Sequence, residues 1–335
     1  MAIKPADEYP NTNPADSNYP GGSAKNSSSP TATDGTPFEE VWVNDLWGFL
    51  QALIAAAGIT PSGVPDTSVA SQYLDAVRTI VPSLIGSNTT ITVGAAGDYA
   101  TINGALAHLS KYTPIYKNLG VTATISLLAG FVMAEQVLVR GLDLGWMTIT
   151  GVAAETVIDH TALTTDFSTA DYGLASYPAF GVSKGGALPR IGQLFRFNVA
   201  DVLGEKHGVM AVGAGSSADI LPGCGVKNAG MYGINATNGA TINANGTNAS
   251  GAGTHGFAAA EGATINAHGA DASDAGASGV YADNGAMINA DGTNTSGAID
   301  YEVTVDRGST INADGMTGTL SQTRNVLTAN GIIFQ

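Results

Sequence analysis

From Gly239 onward the apolar positions recur every 23 residues. Gly239-Ala-Thr-Ile-Asn-Ala-Asn-Gly246, Gly262-Ala-Thr-Ile-Asn-Ala-His-Gly269, Gly285-Ala-Met-Ile-Asn-Ala-Asp-Gly292 and Gly308-Ser-Thr-Ile-Asn-Ala-Asp-Gly315 register without gaps. Ile242, Ile265, Ile288 and Ile311 form one column, and Asn243, Asn266, Asn289 and Asn312 form the next. A second apolar column runs through Ile234, Phe257, Val280, Val303 and Val326, and residues 215–238 form an imperfect copy one residue longer. Within each copy the pattern alternates, as in Ala240-Thr-Ile-Asn-Ala244, and Gly or Asn separates the pieces. Period two is strand chemistry, whereas a helical repeat needs apolar residues at i, i+3, i+4 and i+7. A repeat of this length holds about three short strands and three turns, one rung of a parallel β-helix. Rungs stacked at roughly 4.8 Å put identical side chains in register. The Ile column then fills the core. The Asn column reads either as stacked amides that also tolerate a left-handed turn, or as a surface for sugar hydroxyls.

Upstream, residues 97–160 read as the start of the same coil. Ile102, Leu106 and Leu109 share a helical face behind Thr101, a potential N-cap. Strand-like runs follow at 121–127, 135–139, 146–150 and 156–158. A helix there covers an otherwise open sheet edge. Residues 160–200 repeat least, and Tyr172, Tyr177, Phe180, Arg190, Phe195, Arg196 and Phe197 mark an expected excursion or inter-subunit contact.

The first 36 residues are rich in Pro, Asn, Ser, Asp and Gly, with Tyr9 and Tyr19 as almost the only large apolar groups. Such an arm buries too little surface to order itself and needs a partner or sister chain. Behind it, Thr36-Pro37-Phe38-Glu39 is a capping box, and Val43, Leu46, Trp47, Leu50 and Ile54 form one apolar stripe that Gly58 closes. A second amphipathic segment follows Asp66, with Val69, Tyr73, Val77 and Ile80 on one face. The Trp42/Trp47 stripe serves either a local helical pair or a trimeric bundle or docking surface; helices this short draw stability from association. The expected organisation is an extended arm (1–36), a helical anchor or trimerisation region (37–88), a linker with capping helix (89–120), and a β-helix (121–335) with regular rungs over 239–330.

Two resemblances sharpen this. Gly97-Asp-Tyr-Ala-Thr-Ile-Asn-Gly-Ala-Leu106, then an extended segment and Gly151-Val-Ala-Ala-Glu-Thr-Val-Ile-Asp159, resembles the first coils of the pectin-lyase-like right-handed β-helices, phage tailspikes among them. Tyr19-Pro-Gly-Gly-Ser-Ala-Lys-Asn26, Asp34-Gly-Thr-Pro-Phe-Glu39, Trp42-Val-Asn-Asp-Leu-Trp-Gly-Phe49 and Gly58-Ile-Thr-Pro-Ser-Gly-Val-Pro-Asp-Thr67 are similar to the N-terminal region of phage and prophage tail fibre proteins. Together they imply a mainly β virion protein with a right-handed parallel β-helix. It is made in the bacterial cytoplasm as a homotrimer, docked on tail or baseplate proteins through residues 1–88, and directed at a host surface glycan or other receptor. The expected function is mainly adhesion or structural attachment, with polysaccharide cleavage as the alternative and a baseplate-proximal spacer role as the second; the chain's abrupt end after the last repeat keeps the spacer reading open.

Composition narrows the chemistry. With 13 Lys+Arg against 28 Asp+Glu, the net charge of −15 argues against nucleic acid, which is bound by neutralising phosphates. It also disfavours anionic bilayers, and no apolar run reaches the ~20 residues of a spanning helix. One cysteine excludes an internal disulfide scaffold. Forty-four glycines and few charges fit a coil in which like charges would stack about 5 Å apart.

Glycosidase carboxylates stand about 5–9.5 Å apart, so in such a coil acids one rung apart are the candidates. Asp283 with Asp306 and Asp291 with Asp314 meet this spacing; Asp143 with Asp166, and Asp159, are further ones. Against them stands the plain reading of Asp as the solvated surface of an acidic solenoid. Stacked Asp and Asn oxygens are also hard calcium ligands, but the Gly-Gly-x-Gly-x-Asp signature is absent. His207, His255 and His268 lack zinc spacing, Cys224 sits in a Pro-Gly-Cys-Gly turn, and no nucleophile or phosphate-loop motif occurs, so no metal or cofactor is expected. Tyr232, Tyr281 and Tyr301 are candidates for stacking on sugars or for covering a rung edge.

Overall fold

The computed structural model describes residues 11–14, 25–36, 40–67, 70–80, 83–114, 120–167, 175–198, 204–318, 325–327 and 331–334. The chain divides into two compact units, Met1–Ser83 and Leu84–Gln335.

The first unit contains helices α1 (Glu40–Ala56) and α2 (Gln72–Ile80). The capping box lies partly outside the described residues, as do Tyr9, Tyr19 and Val69. Gly58, at φ 66°, takes the left-handed conformation just after α1. Asp66 Oδ2 accepts from Ser71 Oγ at 2.6 Å and from the Tyr73 amide at 3.1 Å, which satisfies the first turn of α2 and holds its own carboxyl below the usual range. The predicted stripes stay largely uncovered. Among the described side chains of α1 only Ile54 is fully buried, while Leu46, Trp47 and Phe49 are exposed; of α2 only Ala76 is buried, while Tyr73, Leu74, Val77 and Ile80 are exposed.

In the second unit every strand pair of the stack is parallel, and the chain turns through three faces before it returns to the first. One face runs from Thr89–Val93 through Ala123–Leu127 and Met147–Gly151 to Arg190–Gly192. A bridge between Ile191 and Ile220 leads to its continuation, Ser217–Asp219, Thr241–Asn243, Thr264–Asn266, Met287–Asn289, Thr310–Asn312 and Ile332–Phe334. A second face stacks Val132–Met133, Thr156–Ile158, Leu194–Phe197 and Gly225–Lys227, then thins to single bridges at Asn248, Asp271, Asn294 and Thr317. The third, a sheet of eight strands, runs from Val137–Arg140 to Asn325–Leu327. This is a mainly β solenoid of stacked parallel sheets.

The core is the shared interior of the three faces. Ile242, Ile265, Ile288 and Ile311 pair in register and are buried. The same stacking extends back through Ile91, Ile125, Ile149 and Ile191, all buried, at spacings set by longer rungs. Ile234, Phe257, Val280 and Val303 form the matching column of the eight-stranded sheet. There the expected Val326 is displaced: Val303 pairs with Asn325 and Val326 with Thr304. The last rung is one residue shorter than its predecessors, as the pairing of Ile311 with Ile333 also shows.

Helix α3 (Ile102–Leu109) packs Ile102, Ala105, Leu106 and Leu109 into the core at the first rung. Thr101 caps it, its hydroxyl accepting from the Gly104 amide at 3.0 Å. A second cap comes from the following rung, where Glu135 accepts from the Ile102 and Asn103 amides at 2.6 and 3.0 Å. An anion at a helix N-terminus meets unpaired amides and the positive end of the helix dipole.

The expected excursion is smaller than residues 160–200. Phe180, Phe195 and Phe197 are fully buried core residues, with Phe180 edge-on to Phe195 at 4.9 Å. Arg190 pairs with Asp219 at 2.7 Å, and Arg196 and Lys227 share Glu155 at 3.1 and 3.0 Å, so these cations brace adjacent rungs. Among the described residues, those that leave the coil here lie in 159–167 and 175–176. There Phe167 folds back over Gly181, Met210 and Val212 on the outer side of the eight-stranded sheet. A Cβ on Gly181 would sit 3.0 Å from the Phe167 ring, so glycine makes that contact possible. Tyr172 lies outside the described residues.

Candidate functional site

Most of the carboxylates proposed for chemistry are engaged; Asp314 makes its bond through its backbone amide. Asp283 ends the strand Ser278–Asp283 and is 6% exposed. Arg307 donates to both of its oxygens, through Nε at 2.6 Å and through Nη2, and the Asn284 amide adds a third bond at 2.8 Å. Arg307 also lies 4.0 Å from Asp306, whose Oδ1 accepts the Arg307 amide at 2.7 Å. The guanidinium therefore stands between the two acids, and the Asp283 side-chain bond and charge raise its own pKa. Tyr281 completes the cluster, its phenol pushed up by burial and then by the Asp283 charge. A carboxylate held by a fork of two N–H groups is a poor nucleophile and a poor general base.

Asp291 lies in the turn after the Asn column, 3.0 Å from His268 Nδ1, and Asp314 stands one rung on, its amide directed at Asn312 Oδ1 at 3.3 Å. Asp143 and Asp166 do not share a column, because at this level Val137 pairs with Phe180 and the rung is far longer than the repeat. Asp143 instead accepts from the Gly145 amide and Asp166 from the Ser176 amide, at 3.0 and 2.9 Å. Asp159 caps a short 3-10 turn, and its bonds to the Thr161 hydroxyl and amide lower its pKa.

The Asn column is a directed amide ladder in two segments, since Asn243 Oδ1 accepts from Asn245 Nδ2 at 2.8 Å and not from Asn266. Asn312 Nδ2 donates to Asn289 Oδ1 and Asn289 Nδ2 to Asn266 Oδ1, each at 3.0 Å, and Asn243 donates to Asp219 at 2.8 Å. Asp219 in turn holds Arg190. The left-handed conformation falls elsewhere: Asn238, Glu261, Asn284 and Arg307 have φ between 43° and 54°, each followed by a glycine near 73°. This is the two-residue turn with φ positive at both positions that favours Asn-Gly.

A second polar column escaped the sequence reading. Asp271 accepts from Asn248 Nδ2 at 3.0 Å on one side and from Asn294 Nδ2 at 3.1 Å on the other. Each of the three also accepts the amide two residues on, from Ser250, Ser273 or Ser296. The signal was present as an Asn/Asp-x-Ser triplet recurring at the repeat period.

Two of the aromatic candidates are occupied by neighbours. Tyr232 stacks on His255 at 5.3 Å, and His255 on Tyr281 at 4.5 Å and 4°. Their inner faces are therefore closed to a sugar, whereas Tyr301 is 37% exposed. Cys224 is half-buried beside the Pro222 carbonyl, and burial pushes its thiol up, which removes thiolate reactivity. Among the described residues no group of three or more His, Cys, Asp or Glu side chains is placed to hold a metal ion, and no helix is long and apolar enough to cross a membrane. What remains at the surface is a face lined by Thr241, Thr264, Met287 and Thr310 beside the Asn ladder, without an ionisable side chain in either column over these rungs. No protein-family model matches the chain, and no curated protein matches it.

Proposed function

We propose that the chain is a virion tail fibre or short tailspike that docks on the phage tail through residues 1–88 and meets the bacterial surface through its solenoid as a structural adhesin. In this reading the coil is a right-handed β-helix, the sense that about 98% of parallel crossovers take. The protein is made in the bacterial cytoplasm and assembles as a homotrimer. The observation that carries the reading is a contrast between the two units. Among the described residues, helices α1 and α2 leave seven large apolar side chains exposed, which is the surface of an element that finishes folding against a partner. The solenoid buries its own apolar columns and turns an uncharged Thr and Asn face outward. Polyols bind to such hydroxyl and amide groups without catalysis.

Depolymerisation is the competing activity. Its best-placed acid, Asp283, is already neutralised by Arg307. Incubation of the purified protein with host capsule or lipopolysaccharide separates the two. Retention of the glycan with no new reducing ends and no unsaturated uronic acid is expected. Products that appear with the wild type and vanish in Asp283→Ala or Asp306→Ala would sink the adhesin reading.

A further inference from the structure

One corner of the solenoid carries a run of aromatic rings that the repeat does not explain. His207 stacks on Tyr232 at 5.1 Å, Tyr232 on His255 at 5.3 Å, and His255 on Tyr281 at 4.5 Å. These residues stand on four successive strands of the eight-stranded sheet, so the stack ties four rungs together along the axis. Two of the four rings are imidazoles in places that disfavour the charged form. His207 is 2% exposed, and its Nδ1 has no hydrogen-bond partner. His255 Nδ1 accepts the Ser278 amide at 3.2 Å, which fixes the proton on the other nitrogen and leaves no lone pair for a second.

Few charges offset a proton added here. Lys206, next to His207, lies over the Tyr177 ring at 4.2 Å and donates to the Leu163 carbonyl. Asp300 acts on His255 from the turn before the next strand, and Asp283 beside Tyr281 is taken by Arg307. Tyr281, in contact with His255, has its phenol pushed up by burial and then by the Asp283 charge, so it adds no negative charge to the stack.

We propose that this ring stack is an acid-sensitive clasp: protonation of His207 and His255 opens the corner of the rungs that carry it, while the rungs before it stay wound. Burial lowers both imidazoles to about 4; at His255 the backbone hydrogen bond with Ser278 and then the Asp300 charge oppose the shift. An unfolded imidazole titrates near ~6.5. The open corner therefore binds protons that the closed stack refuses throughout the window from about pH 6.5 to 4. Opening becomes easier by up to about tenfold per pH unit for each histidine across that window, and levels off below it. Above about pH 6.5 both states are neutral and the clasp is at full strength.

Amide hydrogen exchange on the full chain, corrected for intrinsic rates, tests this at pH 7 and 4.5. Strands Lys206–Val212, Tyr232–Thr237 and His255–Ala260 are expected to lose protection at pH 4.5 by up to about 80-fold for each histidine the opening exposes, the two factors multiplying, and Thr89–Val93 and Ala123–Leu127 to keep theirs. His255→Phe keeps a flat ring without a basic nitrogen and is expected to remove a large part of the loss; His207→Phe with His255→Phe removes the rest. Equal protection at both pH values, a uniform loss in all strands, an acid response in His255→Phe as large as in wild type, or an imidazole of His207 or His255 that titrates near ~6.5 by NMR overturns the proposal. His255→Phe suffices alone if the double variant does not fold.

Discussion

At the scale of single residues, the contacts that matter most join positions far apart in sequence. Glu135 is the clearest. Its carboxylate closes the first turn of α3 across more than thirty residues, while Asn103 Nδ2 returns a bond to the Gln136 carbonyl at 2.8 Å. Burial raises the Glu135 pKa, and the two amides oppose that shift. Glu135→Ala leaves both N–H groups unpaired at a half-buried helix end and is expected to cost about 1–2 kcal/mol, read as a lower urea midpoint. A midpoint within error of wild type would mean that water replaces the carboxylate fully. Thr101, adjacent to its helix, was legible in the sequence as a cap; Glu135 was not, because nothing local marks a side chain that caps from the next rung. Asp283 is a parallel case. Its spacing to Asp306 pointed to a carboxylate pair, yet Arg307, one residue after Asp306, reaches back a full rung and holds it.

At the scale of the rung, small residues set how tightly the faces close. Gly208, Gly233, Gly256 and Gly279 recur at the start of successive strands of the eight-stranded sheet. A Cβ on Gly256 would lie 2.6 Å from the Ala272 Cβ and 2.8 Å from the Gly279 carbonyl oxygen, so the second face and the next rung both block it. Gly256→Ala is expected to destabilise by about 1–3 kcal/mol through overpacking alone, since its φ lies outside the left-handed region. Thermal unfolding measures this, and a variant as stable as wild type would mean that the rungs slide apart at little cost. The repeat made the glycine column visible, but only the fold gave it a reason. The Ile column illustrates the converse. Its four copies after residue 239 were evident from spacing, whereas Ile91, Ile125, Ile149 and Ile191 were hidden because turns and the Phe167 excursion vary the rung length between them. Stacking fixes which side chains meet in the core, and leaves loop length free.

At the scale of the whole molecule, the two units differ in how complete they are. The solenoid is self-sufficient in its core, with an apolar interior, amide ladders and ion pairs between rungs, although Met287, Ile299, Ile332 and Phe334 stay exposed on it. The helical unit is not, since the stripe Val43, Leu46, Trp47, Leu50 and Ile54 buries only Ile54 fully. If that stripe holds the proposed trimer, Leu46→Ser with Trp47→Ser converts it to a monomer near the chain mass of 33.7 kDa in sedimentation, with the β-sheet circular dichroism unchanged. A wild-type chain that already sediments as a monomer, or a double variant that remains a trimer, would remove the helices from the assembly.

The sequence by itself determined the solenoid's period, its inward Ile and outward Asn columns, α3 with its Thr101 cap, and the absence of motifs for nucleophiles and phosphate. Each of these is local or strictly periodic, and periodicity survives without knowledge of what touches what. Only the tertiary structure decided the engagement of Asp283 by Arg307, the Asp271 column, the His and Tyr stack, the core placement of Phe180, Phe195 and Phe197, and the shortened last rung. These depend on which residues of adjacent rungs meet. Before residue 215 the rung length is irregular, so register there is set by core packing and turn geometry, neither of which has a fixed spacing along the chain.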